Sequence, residues 1–194
     1  MLKNIICDLC GPLIKIDLRL IDMMFYKFGV VRPNPYYELC RLGIVDQADR
    51  GDLQPAEFCN IVRDKLDAPL TDYQIETAWN SLTTGVCRRH LQFMEKLHNE
   101  GYNTFVLSNS DLINAPYFND YIEKEMGEGF LNRAFNHVYY SSDEKLRMRK
   151  PSPEIFLKVL ELNGLHADET IFADDTLKHC QGAAAAGLRT LFIK

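Results

Sequence analysis

The sequence predicts an α/β fold, a parallel sheet covered by helices on both faces and interrupted once by a helical insertion. Three observations predict it. Short apolar runs rich in β-branched or aromatic residues recur along the chain, helical patterns alternate with them, and the interval 14–86 breaks that rhythm while staying apolar. The 194 residues, 46% of them hydrophobic, suffice for one well-cored domain plus an inserted subdomain.

The strands are expected over "NIICDL" (4–9), "NTFVLS" (103–108), "HVYYS" (137–141) and "TIFAD" (170–174), with "RTLFIK" (189–194) closing the chain. Helices are expected over 87–101, 152–164 and 177–187, each ending on a glycine suited to a C-terminal cap. Strands alternating with helices imply parallel pairing. The run "AAAA" (183–186) is a helix face with little side chain, suited to close packing on the sheet. Between 14 and 86, stretches such as "DLRLIDMMFYKFG" and "PAEFCNIVRDKL" read as helices, turn signals "RPNP" and "DAPLTD" separate segments, and no strand is expected. Residues 1–13 plus 87–194 are therefore read as the core and 14–86 as a helical cap.

A net charge of −5 argues against a nucleic-acid surface, which normally carries a basic excess. No apolar run approaches the roughly 20 residues of a membrane helix, and "MLKNIICDL" moves straight into a strand pattern rather than a secretory leader. The six cysteines are scattered through apolar segments, which reads as reduced thiols in a cytoplasmic protein. A small soluble substrate is the expected partner; the oligomeric state is open.

In an open parallel sheet, ligands bind at the carboxyl ends of the strands. That rule gathers Asp8, Ser108 with Asn109, and Asp174 with Asp175 at one edge, because each follows its own apolar run. An aspartate there can simply cap a turn. Two adjacent carboxylates at a strand end, however, repel unless a cation or a lysine stands nearby, and hard oxygens suit Mg²⁺. Ser108 and Asn109 can begin a turn or hold a phosphoryl oxygen. Lys150 is either a solvated member of the basic run Lys145 to Lys150 or the cation that neutralises nucleophile and substrate.

"IICDLCGPLI", "FVLSNS", "RKPSPEIF" and "IFADD…AAAAGLRTLFI", in that order, resemble the haloacid dehalogenase (HAD) superfamily across essentially the whole chain. The resemblance implies a Rossmann-like three-layer α/β/α core with a helical C1 cap. "RGDLQPAEF" and "AWNSL" resemble the branch holding bacterial α-D-glucose-1-phosphate phosphatase and the phosphatase domain of soluble epoxide hydrolase. It implies that Asp8 attacks phosphorus, forming an aspartyl-phosphate, and that Ser108 holds the phosphoryl group. Lys150 would stabilise charge on both. Asp8, the main-chain carbonyl of Cys10, Asp175 and, directly or through water, Asp174 would hold Mg²⁺.

Cys10 departs from the pattern, since most phosphatases of the family carry a second aspartate there as general acid and base. A thiol with an ordinary pKa near 8.5 is a poor replacement for a group worth about 10²–10⁴-fold. A leaving group that needs little protonation, such as the anomeric oxygen of a sugar 1-phosphate, would reconcile Cys10 with turnover. The competing functions are a 2-haloacid dehalogenase, against which Asp174 and Asp175 argue, and a catalytically weakened binding or regulatory protein. "CDLC" is formally a C-x-x-C, but no second pair accompanies it to build a zinc cluster. Pro12 removes a backbone N–H from the loop, and His179 stands where relatives usually place Asn or Asp. Trp79, Phe25, Tyr26 and Phe28 read as packing, while some of Tyr36, Tyr37 and Trp79 are candidates to face substrate.

Overall fold

The computed structural model describes residues 1–193. Strand β1 (Asn4–Cys7) is followed by β2 (Ile14–Ile16), helices α1 (Arg19–Lys27), α2 (Pro35–Arg41), α3 (Ile44–Asp49), α4 (Pro55–Leu66) and α5 (Asp72–Asn80), and strand β3 (Thr83–Val86). Alternation then resumes: α6 (Arg88–Asn99), β4 (Asn103–Ser108), α7 (Asn114–Met126), α8 (Phe130–Ala134), β5 (His137–Tyr140), α9 (Pro153–Asn163), β6 (Thr170–Asp174), α10 (Leu177–Ala185) and β7 (Arg189–Phe192).

Five strands form one parallel sheet in the order β5-β4-β1-β6-β7. From β1 the chain moves out through β4 to β5 on one side and then crosses back to β6 and β7 on the other, so the carboxyl end of β1 opens onto the crevice where α/β sheets bind ligands. Register fixes what meets there. Cys7 pairs with Val106 and with Ala173, and Asp8 N–H donates to the Ala173 carbonyl at 2.8 Å. Asp8 is thereby held one residue past the strand, beside Asp174.

The expected strand over 4–9 stops at Cys7, and the last strand covers Arg189–Phe192, an exposed edge, with Lys194 outside the described residues. The expectation of no strand between 14 and 86 is corrected by β2 and β3, which pair antiparallel. β2 has three residues, too few to show a period-2 pattern, and its partner lies beyond the whole helical insertion. This two-stranded ribbon carries the chain from β1 out to α1 and back from α5.

One apolar cluster runs without a break from the sheet face (Val106, Ala173) through α6–α8 into the insertion, where Phe25, Phe58 and Trp79 are fully or almost fully buried. Burying such side chains contributes roughly 1.5–3 kcal/mol each, so the insertion is packed onto the core. A second cluster, built on Ile6, Phe105, Phe172, Ile155 and Phe156, fills the other face under α9 and α10. There α10 comes unusually close. A Cβ at Gly182 would fall 1.9 Å from the Pro151 carbonyl oxygen, so the small-residue face is needed against the backbone that follows Lys150.

Gly182→Ala is expected to force that contact apart and to lower stability by about 1–3 kcal/mol, the usual cost of overpacking. The urea unfolding midpoint reads this directly, and an unshifted midpoint would refute the close-approach argument.

Candidate active site

Lys150 is 1% exposed, and burying an ammonium is tolerable only with charged partners. It has two. Its Nζ donates to Asp8 Oδ1 at 2.6 Å and to Asp174 Oδ2 at 2.9 Å, over the Phe172 ring. Burial works against the ammonium, yet the two carboxylates prevail and hold Lys150 above its ordinary range. The main chain that presents it is fixed by Asn109, whose Nδ2 donates to the Lys150 carbonyl at 2.9 Å and whose Oδ1 accepts the Lys150 N–H at 2.8 Å. Asn109 thus spends both ends of its amide on placing Lys150.

Asp174 is fully buried and saturated. Besides Lys150 it accepts from Thr176 N–H at 2.7 Å through Oδ1 and from His179 Nδ1 at 2.9 Å through Oδ2. Burial pushes its carboxyl up, but His179 and Lys150 outweigh that and bring it below the usual range. His179 is therefore an oriented partner of Asp174. Burial pushes the Asp8 carboxyl up, with Lys150 opposing and Asp174 reinforcing.

Asp175 is exposed and points elsewhere than Asp174. Gly11, at φ +106°, makes room for it, since a Cβ there would fall 1.9 Å from Asp175 Oδ2. The carboxylate consequently lies against the loop that runs from Asp8 through Cys10. Among the described residues, the carboxylate and imidazole atoms that come within 4.8 Å of one another belong to Asp8, Asp174 and His179. Asp175 stands outside that group, whose members are already engaged: Asp8 and Asp174 with Lys150, and His179 with Asp174.

Ser108 ends β4 fully buried, its Oγ 2.9 Å from Ser110 Oγ. Ser110 N–H donates to Ser141 Oγ at 3.0 Å. Cys10 lines a cavity together with Asp8, and burial, followed by the charge of Asp8, pushes its thiol far above the ordinary range, so the proton stays on sulfur. Cys7 lines a different, apolar cavity behind the sheet, and all six cysteines are free thiols. "CDLC" is thus two thiols facing opposite ways.

The cavity over Asp8 has a volume of about 280 Å³. Tyr36 and Trp79 line it, their rings 5.7 Å apart, whereas Tyr37 is 66% exposed and does not. Three lining groups escape the sequence reading: Asp49 on α3, Asp111 before α7, and Arg149. Asp111 stood in plain view in "SNSD", three residues past Ser108. Its carboxylate caps α7 through Ile113 and Asn114 N–H and accepts Trp79 Nε1 at 2.6 Å. Arg149 looked like part of a solvated basic run, but it bridges to Asp46 at 2.7 Å and Asp49 at 2.9 Å. No local pattern in "ADRGD" marks Asp49.

Residues 52–187 match the haloacid dehalogenase-like hydrolase family. A D-ribitol-5-phosphate phosphatase from Bacteroides thetaiotaomicron is 28% identical over 182 residues, covering 90% of this chain and 84% of that protein. A HAD family enzyme from the same organism, solved with magnesium and inorganic phosphate, is 31% identical with a TM-score of 0.89, over 100% of this chain and 95% of that one. The L-2-haloacid dehalogenase of Xanthobacter autotrophicus shares the fold at 17% identity, with a TM-score of 0.65 over 100% of this chain and 78% of that one. With the family matched over most of its length, and its chemistry-bearing residues gathered at the carboxyl edge of the sheet, the chain belongs to the haloacid dehalogenase-like hydrolases.

Proposed function

We propose that the protein is a Mg²⁺-dependent phosphomonoesterase that moves a phosphoryl group from a small polyhydroxylated metabolite to Asp8 and then to water. The observation that carries this reading is the buried Asp8–Lys150–Asp174 array, whose Asp8 lines a cavity. Similarity to a D-ribitol-5-phosphate phosphatase and to an enzyme holding magnesium and phosphate supports it. The six free thiols fit a reducing, cytoplasmic setting.

Asp8 is the nucleophile. One carboxylate oxygen attacks phosphorus as the ester oxygen leaves, and water later displaces the aspartyl group, so one difficult displacement becomes two easier ones. Lys150 holds Asp8 in position and neutralises charge shared with the phosphoryl group. Ser108, with Ser110 behind it, receives a phosphoryl oxygen. Asn109 acts through Lys150, as a positioning residue.

The donor set suits Mg²⁺, because Gly11 lets the Asp175 carboxylate lie against the Asp8–Cys10 loop, bringing hard oxygens together. Asp8, the Cys10 carbonyl and Asp175 would hold the ion, with Asp174 behind them. When bound, the cation offsets charge building on the phosphoryl oxygens. A neutral thiol at position 10 leaves that carbonyl available.

Residues 14–86 form the substrate-selecting cap. Tyr36 and Trp79, their rings tilted 45° to each other, offer an apolar aromatic corner to a carbon chain, and the cavity of about 280 Å³ has room for a sugar or sugar alcohol. Sugar 1-phosphates and terminal polyol phosphates such as D-ribitol 5-phosphate both belong to this class.

Purified protein is expected to release phosphate from a panel of such esters only with Mg²⁺, and Asp8→Asn to abolish release; no turnover across the panel would sink the proposal. Lys150→Ala strands two buried carboxylates and is expected to cost about 3–5 kcal/mol of stability at pH 7, measured by urea denaturation. Gly11→Ala, which displaces Asp175, is expected to raise the Mg²⁺ concentration for half-maximal activity about tenfold or more, as disturbed metal-site support usually does. An unchanged Mg²⁺ titration would remove Asp175 from the metal site.

A further inference from the structure

Position 10 leaves the proposed reaction without its usual proton donor, and the cavity holds another carboxylic acid. Resting on the phosphomonoesterase reading, we propose that Asp49, from the cap, is the general acid and base of the reaction. Its carboxyl proton goes to the leaving ester oxygen as the P–O bond breaks and Asp8 bonds to phosphorus. The resulting Asp49 carboxylate then takes a proton from the water whose oxygen displaces Asp8, releasing phosphate and restoring Asp49.

The geometry favours this residue over the alternatives. Asp49 lines the cavity together with Asp8 and Cys10 although it stands on α3. It is anchored to the core: Ser141 Oγ donates to the Asp49 carbonyl at 2.5 Å and accepts the Ser110 N–H at 3.0 Å. Ser110 in turn contacts Ser108, so a short chain of bonds fixes Asp49 relative to the phosphoryl-binding end of β4. Just beyond, a Cβ at Gly51 would fall 2.5 Å from the Ser142 carbonyl oxygen, which presses this part of the cap onto the core. Asp111, a further carboxylate in the cavity, from the core segment before α7, is committed to Trp79 and to the start of α7. Asp49 has one charge partner among the described residues, Arg149.

Burial pushes the Asp49 carboxyl up to about 7, with Arg149 opposing and Asp111 and Asp46 reinforcing. Arg50, the residue just past that helix, opposes more weakly. Cys10 in the loop after β1 and Tyr36 and Cys40 on α2 also feel its charge, and burial holds all three neutral. A carboxyl group titrating near neutrality can both give and take a proton at working pH, the condition for efficient acid–base catalysis.

The leaving group supplies the test. D-ribitol 5-phosphate releases a basic alkoxide that needs a proton, and p-nitrophenyl phosphate releases a phenolate that does not. With saturating Mg²⁺, Asp49→Asn is expected to lower kcat/KM about 100-fold on the first and less than about threefold on the second. Adding Cys10→Asp to that variant should restore the polyol phosphate selectively. Equal losses on both substrates, or no loss on the first, would overturn the assignment. Cys10→Asp alone leaves the Asp49 contacts untouched, and its expected gain on the polyol phosphate is below about tenfold; a gain of about 100-fold or more would show that no donor was present. If the unaltered protein with Mg²⁺ releases phosphate neither from p-nitrophenyl phosphate nor from any ester of the polyol and sugar phosphate panel, the phosphomonoesterase reading falls and this proposal with it. Hydrolysis without the leaving-group effect removes Asp49 alone.

Discussion

The ammonium of Lys150, buried between Asp8 and Asp174, is the interaction on which the rest of the site depends. Three charges out of water are costly unless each is paired and hydrogen-bonded. Here one cation serves two carboxylates, and the surplus negative charge is shared outward. Thr176 N–H and His179 take up the free sides of Asp174. The arrangement leaves one net negative charge among the three, facing the cavity through Asp8. That is the electrostatic state in which a carboxylate is both held in place and able to meet a cation and a phosphoryl group.

Such an array tolerates little displacement, and the fold spends several features on its position. The register of β1 with β4 and β6 brings Asp8 and Asp174 side by side. Lys150 arrives from the far side of β5 on a segment with no regular structure. It is held there by the two-point clamp of Asn109 and by α10, which presses against Pro151 through a glycine. The helix rich in small residues is thus part of the active-site scaffold. Gly11 plays the matching part on the opposite side, since only a residue without a side chain lets Asp175 approach the loop.

Much of this was legible because the chemistry sits at the ends of strands. Asp8, Ser108 and Asp174 each follow an apolar run directly, and the rule for parallel sheets brings such residues to one edge whatever their separation in sequence. Lys150 became legible only through the order of four motifs. In isolation it reads as one charge in a basic run, and its neighbour Arg149 stayed hidden there. What sequence concealed is what depends on tertiary approach. β2 is too short to carry a pattern, Asp175 is oriented by a missing Cβ at Gly11, and Asp49 reaches the cavity because a whole cap packs onto the sheet. Neither local period nor spacing encodes those contacts.

The same packing changes what Cys10 means. Asp8, Asp49 and Asp111 line one cavity, Asp174 lies just behind Asp8, and burial already raises the carboxyls of Asp8, Asp49 and Asp111. A further carboxylate at position 10, two residues from Asp8, would add one more like charge to this cavity. A thiol fills that place without charge, because burial keeps its proton on sulfur, and it leaves the main-chain carbonyl unaltered. An acid–base group on the insertion, as proposed for Asp49, would relieve that crowding around Asp8. Proton transfer by Asp49, as proposed, would then require the insertion to stay packed on the core, where the Ser141 bond and the close approach at Gly51 hold it.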